Sequence, residues 1–163
     1  MATLKQDDVA KNIARYFLYR CNDDGELITP LKMQKLVYYA YVWTLINNRK
    51  PIINEKFEAW PNGPVLPSLY NILKKYGSSP IDGEFLNLSN EKDLSKLRES
   101  LGEIIPILDE VYEKYATKSA FELVTITHNE KPWKNARKGL DATQPSKNPL
   151  LDKDILEEYE QKR

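Results

Sequence analysis

The chain has 163 residues, 41% hydrophobic and 29% charged, which is the balance of one ordinary globular domain. Lys plus Arg is 24 and Asp plus Glu is 24, so the formal net charge is zero and the basic excess that nucleic-acid binders carry is absent. A single cysteine, Cys21, excludes an intramolecular disulfide, and no run approaches the ~18 apolar residues of a membrane span.

Taken in chain order, the first element is a helix over about 6–21. Val9, Ile13 and Phe17 recur every fourth residue and define its apolar face. Asp7 and Asp8 suit its N-terminus. The opening MATLKQDDVAKNIARYF lacks the uninterrupted apolar core of a secretory signal, so a cytoplasmic location is expected. CNDDGEL reads as a turn. Thr29-Pro30 then starts a second helix, threonine as cap and proline at the first helical position, running to Asn47–Asn48. Its LKMQKLVYYAYVWTLI is apolar nearly all round after Lys35, the pattern of a central helix packed on several sides.

Pro51 ends that region. A short strand is expected near 56–60, then a turn at Pro61-Asn62-Gly63-Pro64. Pro64 is read as opening a helix over 64–76, with Val65, Leu69, Ile72 and Tyr76 inward and Gly77 as its cap. A second short strand is expected at 84–88, and Ser89 or Asn90 as the next cap. Leu94, Leu97, Leu101, Ile104, Leu108, Val111 and Tyr115 form an apolar seam over 91–115, with a kink or break at Pro106. Ser119 with Glu122 predicts a capping box for a helix over 119–127. Short helices follow at 132–138, closed by Gly139, and at 153–161, capped by Asp152 and anchored by Ile155, Leu156 and Tyr159. The expected fold is mainly α: one domain over 1–163, a multi-helix bundle around a buried central helix at about 30–48, with at most a small β-hairpin.

The chemical inventory is sparse. Six scattered glycines make no phosphate loop, and one His with one Cys makes no zinc site; no catalytic residue, cofactor or metal is assigned. Asn22-Asp23-Asp24 with Glu26 reads as a turn rather than a divalent-cation site. Cys21 is in phase with the apolar face of its helix and reads as buried. His128 reads as closing a helix C-terminus, where a positive charge suits the dipole. An enzyme would have to use His128 with Glu58 or Glu130. Two basic strips, Lys32/Lys35/Arg49/Lys50 and Lys131/Lys134/Arg137/Lys138, read mainly as solvated helix faces; the alternative is a nucleic-acid-binding regulator. Trp60 and Trp133 stand beside prolines with partial exposure expected, a common setting for interface anchors.

Three segments carry a resemblance. ITPLKMQKLVYYAYVW (28–43), FEAWPNGPVLPSLYNILKKYG (57–77) and LVTITHNEKPWKNAR (123–137) are similar, in order and spacing, to the motifs of the Panacea, or SocA-like, antitoxin domain. The resemblance implies a mostly helical antitoxin from a bacterial or prophage defence locus, with no catalytic residues. Its partner would be a cognate toxin protein, silenced by direct binding. In one branch of the family the toxin is handed to an AAA+ protease. Some members carry an added DNA-binding domain; this chain has no room for one, so nucleic acid is not an expected partner. The partner-binding residues the motifs suggest are Trp60, Pro61, Gly63, Pro64, Pro67, Tyr70, His128, Trp133 and Arg137. The prolines and Gly63 would stiffen the loop that presents Trp60. Packing of that loop against the central helix explains the same residues equally well.

Overall fold

The structure is a computed structural model and describes residues 6–163, with side chains from residue 9 onward; the Asp7 and Asp8 reading lies outside the described side chains. Helices α1 (Gln6–Asp23) and α2 (Pro30–Asn48) come first. The hairpin strands β1 (Glu58–Trp60) and β2 (Gly63–Val65) follow, then α3 (Pro67–Leu73) with a 3-10 turn at Lys74–Tyr76. Next are α4 (Gly83–Leu86), α5 (Glu91–Leu101), a 3-10 turn at Gly102–Ile104 and α6 (Ile105–Tyr115). The chain ends with α7 (Ala120–His128), α8 (Lys131–Ala136) and α9 (Asp152–Glu160). The fold is mainly α.

Helix α2 is the central element. Thr29 accepts at Oγ1 from the Lys32 N–H, Pro30 occupies the first turn, and Arg49 closes the helix in the left-handed region at φ 60°. From Met33 to Ile46 every residue except Trp43 is buried. Helices α1, α3, α6, α7 and α9 and strand β2 all pack on it. Each fully buried Leu or Phe in this core contributes roughly 1.5–3 kcal/mol of transfer free energy. An aromatic group threads the centre: Tyr39 stacks on Tyr115 at 4.0 Å, and Tyr159 of α9 meets Tyr39 and Trp43 edge-on.

Several expectations need correction. Pro64 does not open a helix; it is paired with Ala59 in the hairpin, and Pro67 begins α3. The buried face of α3 is Leu69 and Leu73, with Leu66 buried just before it, while Ile72 is exposed. The 84–88 segment is not a strand: Asp82 accepts from the Glu84 N–H and caps the single turn α4. In the 91–115 seam the break falls at Gly102, whose φ is +52°, and Pro106 sits in the first turn of α6, where its missing N–H has no intrahelical partner to lose. Both halves keep their apolar phase on the core. Asp152 is not a cap; its carboxylate accepts from Tyr41 Oη at 2.6 Å and from Lys56. Asn90 caps α5, and the Ser119–Glu122 capping box forms.

The 141–150 loop contributes to the sheet. Ala59 N–H donates to the Asn148 carbonyl at 2.8 Å, and Leu150 N–H donates to the Phe57 carbonyl at 2.9 Å. The outer edge of β1 is therefore covered rather than open.

Candidate functional site

The three motif segments meet at the β1–β2 hairpin, and the meeting is built from hydrogen bonds to its backbone. From α2, the Gln34 side-chain amide grips Leu66 twice: Oε1 accepts from Leu66 N–H at 2.9 Å and Nε2 donates to the Leu66 carbonyl at 3.2 Å. Its neighbour Lys35 is fully buried and donates through Nζ to the Pro64 carbonyl at 3.0 Å. From α8, Trp133 Nε1 donates to the Trp60 carbonyl at 2.8 Å. Buried Arg137 donates to the Ala59 carbonyl at 2.7 Å and to the carbonyls of Asp141 and Gln144. One guanidinium thus ties the hairpin to the loop that covers its edge.

This register explains Pro64. Ala59 turns its N–H and carbonyl to the outer edge, toward Asn148 and Arg137, so no hydrogen bond runs between Ala59 and its partner Pro64. A residue without an N–H is tolerated there. Gly63 is required for two reasons. Its φ is +104°, and a Cβ there would lie 2.7 Å from Lys35 Cε and 2.8 Å from Thr127 Oγ1.

His128 ends α7, with its ring stacked on Trp133 at 3.9 Å and 18°. The Arg137 guanidinium lies 5.2 Å from the same indole. Burial pulls the His128 imidazole below its ordinary value; nearby Lys35 and Arg137 push the same way, against the Pro61 carbonyl. Its Nε2 is buried without a hydrogen-bond partner. His128 closes its helix as expected, but its ring lies in an aromatic stack where burial disfavours the positive charge that would suit the dipole. Burial alone brings Lys35 down to about 7.

Five of the eight cations in the two basic strips are buried or engaged, while Lys50, Lys134 and Lys138 stay exposed. Lys35 and Arg137 are buried, Lys32 donates to the Ala116 carbonyl, Arg49 pairs with Glu160, and Lys131 pairs with Glu157. The carboxylates considered for catalysis are engaged elsewhere. Glu58 accepts from Trp60 Nε1 at 2.9 Å, and Glu130 accepts from Tyr39 Oη at 2.9 Å and pairs with Lys162. Asp24, from the acidic turn, accepts from Tyr112 Oη, and Cys21 is buried.

What remains outward is the other side of the hairpin. Trp60 meets Tyr70 of α3 edge-to-face at 4.8 Å, and Tyr70 is 43% exposed. Together with Pro61, Val65, Pro30 and Leu31 they line an apolar groove of about 400 Å³. Of the nine residues the motifs suggested, Gly63, Pro64 and Arg137 are buried and hold the hairpin; His128 and Trp133 are half-buried behind it. Pro67 starts α3, and Trp60, Pro61 and Tyr70 line the groove. Gln34 was missed. An adjacent Gln-Lys pair inside an otherwise apolar helix was the available signal, because buried polar groups need partners.

The family model for antitoxin SocA-like proteins, the Panacea domain, matches residues 33–134. The chain belongs to this family. The match takes in Gln34, Lys35, the hairpin, His128 and Trp133. Among curated proteins, antitoxin SocA of Caulobacter vibrioides is 32% identical over 113 residues, covering 65% of this chain and 58% of that protein. The chain thus matches less than two thirds of the relative's length. No solved structure matches the chain.

Proposed function

We propose that this Panacea protein is an antitoxin that silences a cognate toxin protein by direct binding, with the Trp60–Tyr70 groove as the contact surface. The observation that carries the reading is the division of labour around the hairpin. Gln34, Lys35, Trp133 and Arg137 all bind its backbone from the inside, which leaves Trp60 and Tyr70 as an aromatic pair on the outside. A surface fixed in this way loses little entropy on association, and tyrosine and tryptophan are the usual anchors of interfaces. Family membership and the similarity to antitoxin SocA supply the class of partner.

The test is co-expression with the product of the adjacent gene, scoring growth and pull-down together. Tyr70→Ala removes a half-exposed ring and should keep the fold while losing both complex and rescue. Trp133→Ala should lose rescue by unfolding, visible in a thermal melt. Rescue that needs a host AAA+ protease and yields no stable complex identifies the adaptor route. A Tyr70→Ala protein that binds and rescues like the parent rules out this groove.

A further inference from the structure

The groove between the hairpin and α3 carries charge of one sign. Of the side chains that line it only Lys74 is charged, and none is a carboxylate. Lys74 is exposed and, among the described residues, has no carboxylate partner; its neighbour Lys75 pairs with Glu84. Glu58 is held by Trp60 Nε1 and does not line the groove. The Gln34 amide, which does line it, is spent on both backbone groups of Leu66. The groove therefore offers the Trp60–Tyr70 aromatic pair beside one free cation. That combination is complementary to an apolar side chain with a carboxylate close by, and it disfavours a basic segment.

Size and spacing narrow the occupant further. A volume of about 400 Å³ is near the lower end for binding pockets, room for one or two large side chains. A docked helix would present three or four anchors and needs a longer trough. Lys74 continues the turn of α3: its N–H donates to the Tyr70 carbonyl, which puts it one turn beyond Tyr70 on the same face. Side chains so placed are about 5–6 Å apart at Cβ. In an extended segment, residues two apart share a face and lie about 7 Å apart, which matches that spacing; residues four apart lie about 13 Å apart and overshoot it.

We propose that the groove receives an extended segment of the partner protein in which a large apolar side chain stands two residues from an Asp or Glu. The apolar side chain lies against Trp60 and Tyr70, and the carboxylate meets the Lys74 ammonium. This inference rests on the reading of the groove as the contact surface and adds the chemistry of what enters it.

The probe is a short peptide with a Phe-Ser-Asp core between Gly-Ser flanks; Phe-Ser-Lys and Ala-Ser-Asp peptides are the controls. Each is titrated to millimolar concentration into the full chain and followed by amide shift mapping, which reads weak binding. The Phe-Ser-Asp peptide should move amides within 31–34, 60–66 and 70–77. It should bind about threefold to tenfold more tightly than either control, and its margin over Phe-Ser-Lys should shrink as salt rises. Lys74→Glu alters an exposed side chain, so it should keep the parent's melting profile while reversing the order of the Asp and Lys peptides. Absent shifts, shifts centred elsewhere, equal binding of the Asp and Lys peptides, or an order unchanged by Lys74→Glu would overturn the proposal. The rescue assay separates this inference from the reading beneath it. If Tyr70→Ala loses the complex while Lys74→Glu keeps it, the groove is the contact surface and its occupant is not acidic. If both variants bind and rescue like the parent, the groove reading itself fails.

Discussion

Gly63 and Lys35 occupy one crowded point and make opposite demands on it. Gly63 must lack a Cβ because the buried stem of Lys35 and the hydroxyl of Thr127 fill that space. Gly63→Ala adds steric overlap to left-handed backbone strain and should cost about 2–4 kcal/mol, read from denaturant unfolding. Lys35 carries a different penalty. Its folded-state value is depressed to about 7, below the 10.5 of an exposed lysine, so between those values the unfolded chain holds more protons than the folded one. Stability from this group therefore rises with pH from about 7 toward 10.5, and the penalty is complete and constant at lower pH. Lys35→Met removes the titration but leaves the Pro64 carbonyl unpaired. The stability of the parent minus that of Lys35→Met should rise by about 2 kcal/mol between pH 7.5 and 9.5, at a slope bounded by ~1.4 kcal/mol per unit. Taking the difference cancels the tyrosines and Cys21, which titrate in both proteins. A flat difference across that range would show that Lys35 stays charged in the fold.

At the scale of elements, legibility followed the reach of the interactions. Helix α2 was readable because its start is a local capping device and its burial is written in an unbroken apolar run. The 84–88 segment was misread because a few apolar residues fit a strand or one helical turn equally, and only the Asp82 cap decides. Pro64 and Pro67 both look like helix starts; the difference is that Pro64 occupies a position in the hairpin where no N–H is needed. The candidate site was legible as residues and not as an arrangement. Its motifs lie far apart in sequence, and nothing local shows that Arg137 points inward or that Gln34 holds Leu66. Arg137 gives the sharpest prediction at this scale. Lysine keeps the charge but replaces a planar fork that reaches three carbonyls with a single ammonium. Arg137→Lys should cost about 2–4 kcal/mol and raise amide exchange at Ala59 and Leu150 ahead of α2. Uniform exchange increases would mean that the guanidinium supports the whole fold rather than the hairpin and its covering loop.

Over the whole molecule, the neutral composition hides how the charges are spent. Two cations of the basic strips, Lys35 and Arg137, are inside, and Lys32, Arg49 and Lys131 are occupied by carbonyl or carboxylate partners. Exposed pairs such as Arg49–Glu160 contribute little to stability, but they weaken the field that a phosphate backbone would feel. A regulator that bound nucleic acid through these strips would need most of their cations free on one face, and the fold has turned five of the eight to other uses, leaving Lys50, Lys134 and Lys138 exposed. Labelled duplex DNA and single-stranded RNA should therefore show no anisotropy change with micromolar protein at about 0.15 M salt, where a binder making several phosphate contacts still associates. Removing local cancellation gives the informative contrast: Glu157→Gln with Glu160→Gln frees Lys131 and Arg49, and any binding that appears should fall steeply with added salt. Tight binding by the unaltered chain would overturn the neutralised-strip reading and put a nucleic-acid face back on the molecule.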